Sequence, residues 1–189
     1  CCSQLVHCRP LVHCMTNDVV QEITADVLLA AGASPAMVID QHESADFASI
    51  ADTLLINVGT LTDDRNLAMH SAIDMANLHK KPWRDERIRD FLDKKPSVVR
   101  GNGSEILSLA GLGQGGHGVD STDDSREAIE AAKLLANRYN NIVAVTGETD
   151  FVTDGMQVFS IPGGDVMTTL VVGTGCSLSA LVAAFCACN

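Results

Sequence analysis

The stretch LLINVGTLTDDRNLAMHSAIDMANLH, residues 54–79, decides the fold. Leu54, Leu55, Ile56 and Val58 form a short, almost wholly apolar run, the pattern of a strand covered on both faces. Gly59 and Thr60 end it. Thr62, Asp63 and Asp64 then cap a helix that runs to about His79. A buried strand followed at once by a capped helix is half of a βαβ unit, and it predicts a parallel sheet.

The same alternation extends in both directions. Leu11 to Met15 reads as a strand, and Asn17 or Asp18 caps a helix from Val19 to about Ala31. That helix carries Val20, Ile23, Val27 and Leu28 on one face and stops at Gly32. Ser34 to Ile39 reads as a strand and Ala45 to Ala51 as a short helix. Ser97 to Arg100 is a strand that runs into Gly101-Asn102-Gly103, and Ser104 opens a helix to Ala110. Five glycines in 111–118 predict a flexible loop. Asp123, Asp124 and Ser125 cap a helix to about Tyr139. Asn141 to Thr146 is a strand, and Phe151–Thr153 and Gln157–Phe159 flank Asp154-Gly155 as a hairpin. Gly173 to Cys176 opens the last helix. With no linker, repeat or low-complexity tract, a single domain over residues 1–189 is expected.

One place breaks the pattern. After the helix ending near His79, Lys80-Lys81-Pro82-Trp83 leads into Asp85 to Leu92, which again reads as helix. Two helices follow each other with no strand between them.

Composition narrows the function. Thirteen basic against 24 acidic residues give a net charge of −11, which speaks against non-specific nucleic-acid binding and against docking on anionic membranes. A single local anion site remains compatible with it. Aromatics make up 4%, so the core must rest on Leu, Val, Ile and Ala. Seven cysteines cannot all pair, and no C-x-x-C is present. The pairs His7-Cys8 and His13-Cys14 read as idle thiols of a reducing cytosol rather than as metal ligands. His42, His70, His79 and His117 read as surface residues. Leu170 to Cys188 is apolar enough to raise a membrane span, but Gly173, Thr174, Gly175, Ser177 and Ser179 read better as a glycine turn and a buried small-residue helix. The N-terminal stretch has no basic region of the signal-peptide type.

The unusual residues collect where strands end and helices begin, which is where open α/β sheets bind ligands. They are Met15-Thr16-Asn17, Asn57 to Thr60, Arg100 to Asn102, Thr146 to Glu148 and Gly173 to Cys176. In Val172-Gly173-Thr174-Gly175-Cys176-Ser177 two glycines let the backbone approach a ligand, and the helix that follows offers N–H groups and the positive end of its dipole. It lacks the G-K-[ST] of a P-loop. Its plainer reading is a structural turn packed by a small Cys176. Arg100 can pair with phosphate oxygens, and Glu105 can hold Mg²⁺. Their plainer reading is helix capping with an exposed ion pair. Met37, in Ser34-Pro35-Ala36-Met37, reads first as core filler.

The blocks RPLVHCMTN, LLAAGASPAM, LLINVGTL, VVRGNGSEILSLAG, VAVTGETDFVTDG and VVGTGCSLSALVAAFCA, in this order over residues 9–188, together resemble the hydroxyethylthiazole kinase family of the ribokinase-like superfamily. The resemblance implies a three-layer α/β/α fold with a mostly parallel central sheet. It implies transfer of phosphate from ATP to the hydroxyl of 4-methyl-5-(2-hydroxyethyl)thiazole, with Mg²⁺, in thiamine biosynthesis or salvage, by a cytoplasmic homotrimer that binds thiazole near subunit boundaries. By motif, Met37, Asn17, Gly59 and Gly173 would line the thiazole site. Arg100, Thr146 and Asn102 would contact ATP, and Glu105 would serve Mg²⁺. Gly173, Thr174, Gly175 and Cys176 would form the anion hole, with Cys176 where the wider superfamily usually places an Asp base.

The departures from the family pattern are local. After Lys81-Pro82 the family normally has a strand and loop resembling V-L-D-P-V-G-A-G-A-T, with an Asp near metal and phosphates, whereas here Trp83 runs straight to Arg84. A true deletion there would remove a central strand. The chain also stops soon after the helix at Cys176, where the family continues. Glu22 stands where the family often has Asn. Two other readings stay open: a degenerate chain that holds thiazole or nucleotide without turnover, and a kinase for a related alcohol such as a hydroxymethylpyrimidine.

Overall fold

A computed structural model describes residues 2–80, 83–85, 89–112 and 122–188. In chain order the elements are α1 (Cys2–Cys8), β1 (Leu11–Met15), α2 (Gln21–Ala31), β2 (Ser34–Ala36), α3 (Ser44–Ile50), β3 (Thr53–Ile56) and α4 (Asp63–Leu78). Then follow β4 (Trp83–Asp85), α5 (Arg89–Leu92), β5 (Val98–Asn102), α6 (Gly103–Ala110), α7 (Thr122–Tyr139), β6 (Ile142–Thr146), β7 (Thr149–Thr153), β8 (Val158–Pro162) and α8 (Thr174–Ala187). The chain falls into two compact units, Cys1–Arg84 with Met167–Asn189, and Asp85–Val166.

The first unit is a parallel sheet in the order β2-β1-β3-β4. β3 is buried at every position, as its apolar run requires. Asn17 accepts the Val19 N–H at 3.1 Å and starts a single 3-10 turn, Asp18–Val20, ahead of α2, so regular helix begins two residues later than Val19. Gly32 closes α2 at φ +94°, and a Cβ there would stand 2.9 Å from the backbone of Val6. That close approach brings α1, an element no sequence pattern announces, onto the sheet. Leu5 of α1 joins Val12, Cys14, Leu28, Leu55, Ala180, Ala183 and Ala184 in one apolar cluster.

Three expectations are corrected here. The strand at Ser34 ends at Ala36 rather than Ile39, since β2 has a partner on one side only and Met37 turns to pack against the apolar cluster. The two helices expected in succession after His79 are separated by β4, whose Trp83 and Arg84 pair in parallel with Leu54 and Leu55. Three residues joined through backbone hydrogen bonds are too few to show a period of two; of the helix expected over Asp85 to Leu92, Asp85 belongs to β4 and Arg89–Leu92 to α5, and residues 86–88 lie outside the described residues. His70 is half-buried rather than at the surface, while His42 and His79 are exposed and His117 lies outside the described residues, as does the glycine loop from Gly113 onward.

The second unit holds β5 and β6 in parallel, with β7 and β8 added antiparallel. α7 lays Ala128, Ala131, Ala132, Leu135 and Ala136 against Val99, Val143 and Val145. This i, i+3, i+4 stripe of small side chains lets helix and sheet approach closely in a chain poor in aromatics. The β7–β8 turn is built by Asp154, whose carboxylate accepts the N–H groups of Met156 and Gln157 and is held below its ordinary pKa by them. No helix among the described residues is long and apolar enough to cross a membrane.

Candidate active site

In the first unit three chain turns meet at one sulfur. β1 and β3 run side by side with Met15 opposite Ile56, so the residues that follow them, Asn17 and Asn57, leave the same edge of the sheet. α8 begins beside them at Gly173, which has φ +90° and whose missing Cβ would sit 2.9 Å from Ile23. Asn57 is 4% exposed, and its Nδ2 donates to Cys176 Sγ at 3.1 Å. Asn17 Nδ2 donates to the same sulfur at 3.7 Å. Both amides are oriented by their own backbone: Asn57 Oδ1 accepts from Gly59 N and Asn17 Oδ1 from Val19 N, so each Nδ2 must face the thiol. Gly59 has no room for a side chain, because a Cβ would lie 2.8 Å from Asn17 Nδ2.

A polar clamp braces the two strand-end turns. Arg65, in the first turn of α4, donates to the carboxylate of Asp18 through Nη2 and to Thr60 Oγ1 at 2.7 Å through Nη1. The Thr60 hydroxyl in turn accepts from Asp18 N at 3.3 Å. Thr16 and Ser177 flank this cluster in sequence, at 1% and 5% exposure, and their hydroxyls have no hydrogen-bond partner among the described residues. Buried hydroxyls left so are groups a ligand or a water ordinarily satisfies.

In the second unit Arg100 is 8% exposed at the end of β5, and its Nη2 donates to Thr146 Oγ1 on β6 at 3.3 Å. The Thr146 hydroxyl donates to Gly101 O at 3.4 Å. The strand register, Arg100 opposite Ala144 and Asn102 opposite Thr146, sets these groups next to each other. Asn102 and Glu105 form a closed capping box: Asn102 Oδ1 accepts from Glu105 N and Glu105 Oε2 accepts from Asn102 N, each at 2.9 Å. Both line an open cleft of about 360 Å³ with Ser104, Ser108 and Leu109, and Arg100 and Thr146 are not part of its lining.

The residues named from sequence therefore fall into two groups. Asn17, Gly59, Gly173 and Cys176 belong to the sulfur cluster, with Thr174 and Gly175 in the first turn of α8. Arg100 with Thr146, and Asn102 with Glu105, belong to the second unit. Met37 is half-buried against the apolar cluster of the first unit. The sequence analysis placed Asn57 among the strand-end residues without giving it a role. It passed over Arg65, which could have been found as the third residue of a helix whose cap is Thr62. The His13-Cys14 pair is core: both are fully buried, and His13 bonds Val38 O through Nε2 at 2.7 Å. Burial pushes the Cys14 thiol up to about 12 and holds His13 below its ordinary value. No group of three or more His, Cys, Asp or Glu suited to a metal occurs among the described residues.

The architecture is that of the ribokinase-like α/β kinases. It is shared with Bacillus subtilis pyridoxal kinase, solved as an ADP complex, at TM-score 0.68 and 17% identity over 94% of this chain and 83% of that one. The chain belongs to the hydroxyethylthiazole kinase family, whose model matches residues 2–189. It is 57% identical to the hydroxyethylthiazole kinase of Klebsiella pneumoniae, over 93% of this chain and 73% of the relative. It also superposes on the hydroxyethylthiazole kinase of Pyrococcus horikoshii at TM-score 0.89 and 33% identity, covering all of this chain and 75% of that one. The Klebsiella match runs over 187 positions but takes in 93% of the 189 residues here, about 176, so about eleven positions of the relative stand opposite no residue of this chain.

Proposed function

We propose that the protein transfers the γ-phosphoryl group of ATP to the primary hydroxyl of 4-methyl-5-(2-hydroxyethyl)thiazole. Membership of the family and the similarity to its named kinases carry this reading. The sulfur cluster supports it: two amide donors hold Cys176 Sγ at the start of a helix, and the next residue, Ser177, carries a buried hydroxyl with no partner among the described residues.

Phosphoryl transfer asks little covalent chemistry of the protein, and most of the rate comes from positioning and charge stabilisation. Asn17, Gly59 and Met37 would contact the thiazole. Cys176 would accept the hydroxyl's hydrogen bond and aim its oxygen, a positioning task suited to a thiol that is a weak base toward an alcohol. In the first unit the backbone N–H groups of Gly173 to Cys176 would stabilise charge on the transferring group; in the second unit the Arg100 guanidinium would pair with phosphate oxygens of ATP. Thr146 would hold Arg100, and Asn102 would contact the nucleotide.

Mg²⁺ fits the donor set as a cation that uses few carboxylates and keeps waters and phosphate oxygens. Glu105 is the residue to hold it: its Oε2 is engaged by Asn102 N, which fixes the carboxylate without neutralising it. When bound, the ion would neutralise phosphate charge.

A homotrimer is the proposed assembly, supported by the exposed apolar residues Phe159 and Ile161 on β8, the last strand of its sheet. Light scattering giving three times the chain mass would agree with it, and a monomer at high concentration would refute it. A cytoplasmic location is part of the same proposal: seven cysteines, an odd number with no C-x-x-C, fit idle thiols of a reducing compartment better than a disulfide framework.

ADP release measured with each alcohol in turn tests the function. Turnover with the hydroxyethylthiazole well above that with a hydroxymethylpyrimidine is expected. Preference for the pyrimidine would replace the substrate assignment, and thiazole binding without turnover would establish the non-catalytic reading.

A further inference from the structure

Arg65 starts from a fixed point. Its backbone N–H is held by Thr62 Oγ1, the cap of α4, at 3.3 Å. From there its side chain, 14% exposed, crosses to the two strand-end turns. Nη1 donates to Thr60 Oγ1 at 2.7 Å and to Thr60 O at 3.3 Å, and Nη2 donates to the Asp18 carboxylate. The Asp18 N–H reaches the same Thr60 hydroxyl at 3.3 Å, which closes a loop of hydrogen bonds between the turn after β1 and the turn after β3. Gln21 Nε2 also donates to the Asp18 carboxylate, at 3.0 Å. Asp18 follows Asn17 and Thr60 follows Gly59, so this loop lies one residue from the place where the turns touch, with a Cβ on Gly59 only 2.8 Å from Asn17 Nδ2.

The two amides on Cys176 depend on this loop unequally. Asn57 is held by the sheet, since its N–H donates to Met15 O at 2.9 Å, and its Nδ2 reaches the sulfur at 3.1 Å. Asn17 lies in the turn beyond β1, and its Nδ2 stands at 3.7 Å from the same sulfur. A hydrogen bond already that long has little room to lengthen before it is lost. Any widening of the two turns therefore breaks the Asn17 contact first.

We propose that Arg65 is a positioning residue for the acceptor alcohol: by tying Asp18 to Thr60 it keeps Asn17 in reach of both the alcohol and the Cys176 sulfur. This rests on the assignment of the sulfur cluster to the thiazole alcohol. Asp18 is 61% exposed, so the ion pair adds little stability, and the value of the planar guanidinium is geometric: its two arms fix two turns at one spacing. A lysine ammonium has no such fork.

The test has two readouts on the full chain: steady-state kinetics with each substrate, and the pH profile of Cys176 alkylation by iodoacetamide, followed by mass on the Cys176 peptide. In Arg65→Ala the KM for the thiazole alcohol should rise about tenfold while the KM for ATP stays within error. The alkylation midpoint should move to higher pH, because a thiolate that loses an N–H donor is less favoured; a role in stability alone would not move it. Arg65→Ala also removes a positive charge. Thr60→Val leaves every charge in place and should move both readouts in the same direction, and it carries the test by itself if Arg65→Ala does not fold. Thr60→Ser, which keeps the hydroxyl, should stay close to wild type. An alcohol KM unchanged in Arg65→Ala and Thr60→Val, or a midpoint that Thr60→Val leaves unmoved, in an enzyme that phosphorylates the thiazole alcohol, would overturn the clamp alone. A wild type that does not phosphorylate that alcohol would overturn the functional reading, and this proposal with it.

Discussion

Two helices in this molecule start at places expected to meet phosphate, and they start in opposite ways. α6 is closed by its own side chains, since Asn102 and Glu105 satisfy each other's backbone in a capping box. α8 begins at a left-handed Gly173 with no side-chain cap at all, and its first turn carries a thiol held by two amides from distant turns. A self-capped start spends its own groups on stability and presents a fixed carboxylate. An uncapped start leaves the helix pole to a ligand and relies on tertiary neighbours for its shape. The first suits a residue that serves a cation, the second a loop that cradles an anion.

Variants can break this contrast, the largest effect first. Arg100→Ala removes the buried guanidinium beside Thr146 and should cut kcat/KM for ATP by about 10²–10³-fold while thiazole affinity stays within error; titration of each ligand separately checks it, and equal losses would contradict the assignment. Gly173→Ala should lower kcat by about 10²-fold, because a side chain at φ +90° pushes on Ile23 and Val20 and displaces the α8 turn. Urea unfolding of the same variant should show a loss of about 1–3 kcal/mol for the strained backbone. Asn57→Ala removes one donor to Cys176 and should cost about tenfold in kcat, a hydrogen bond's worth, with KM for ATP unchanged.

The capping box can be separated from the metal role proposed for Glu105. Glu105→Gln keeps an acceptor for Asn102 N, so stability should hold while activity at low Mg²⁺ falls roughly tenfold. Asn102→Ala should instead cost about 1 kcal/mol in urea unfolding. If both variants behaved alike, the box would be serving one purpose only.

The smallest effect lies outside both helices. Burial holds the pKa of His13 below 6.5, so the folded chain binds its proton less readily than the unfolded chain. Stability from this group is therefore full above about pH 6.5 and declines as pH falls from there toward the lower folded value. Urea midpoints at pH 7.5 and 5.5 should differ in wild type, and the difference should shrink in His13→Gln.

Much of this was legible in the residues. The apolar run at Leu54–Ile56, the cap at Thr62 and the stop at Gly32 are local effects, and they appear where the pattern places them; the helix expected to open at Ser104 begins one residue earlier, capped by Asn102. β4 was not legible, because three residues carry no periodicity and the strand exists through its pairing with Leu54 and Leu55. α1 was hidden for a related reason: its stability comes from Leu5 entering a cluster made by residues far along the chain. At the site, the residue types at the strand ends could be read, but their partners could not. Asn57 and Arg65 gain their roles only by reaching Cys176, Asp18 and Thr60.

By itself the sequence determined the alternation of strands and helices and the chemistry offered at each turn, because propensity, capping and apolar period act within a few residues. Only the tertiary structure decided which of those turns share a hydrogen bond. Contacts between residues as far apart as 17 and 176, or 57 and 176, are set by how whole elements pack, and no local pattern encodes that.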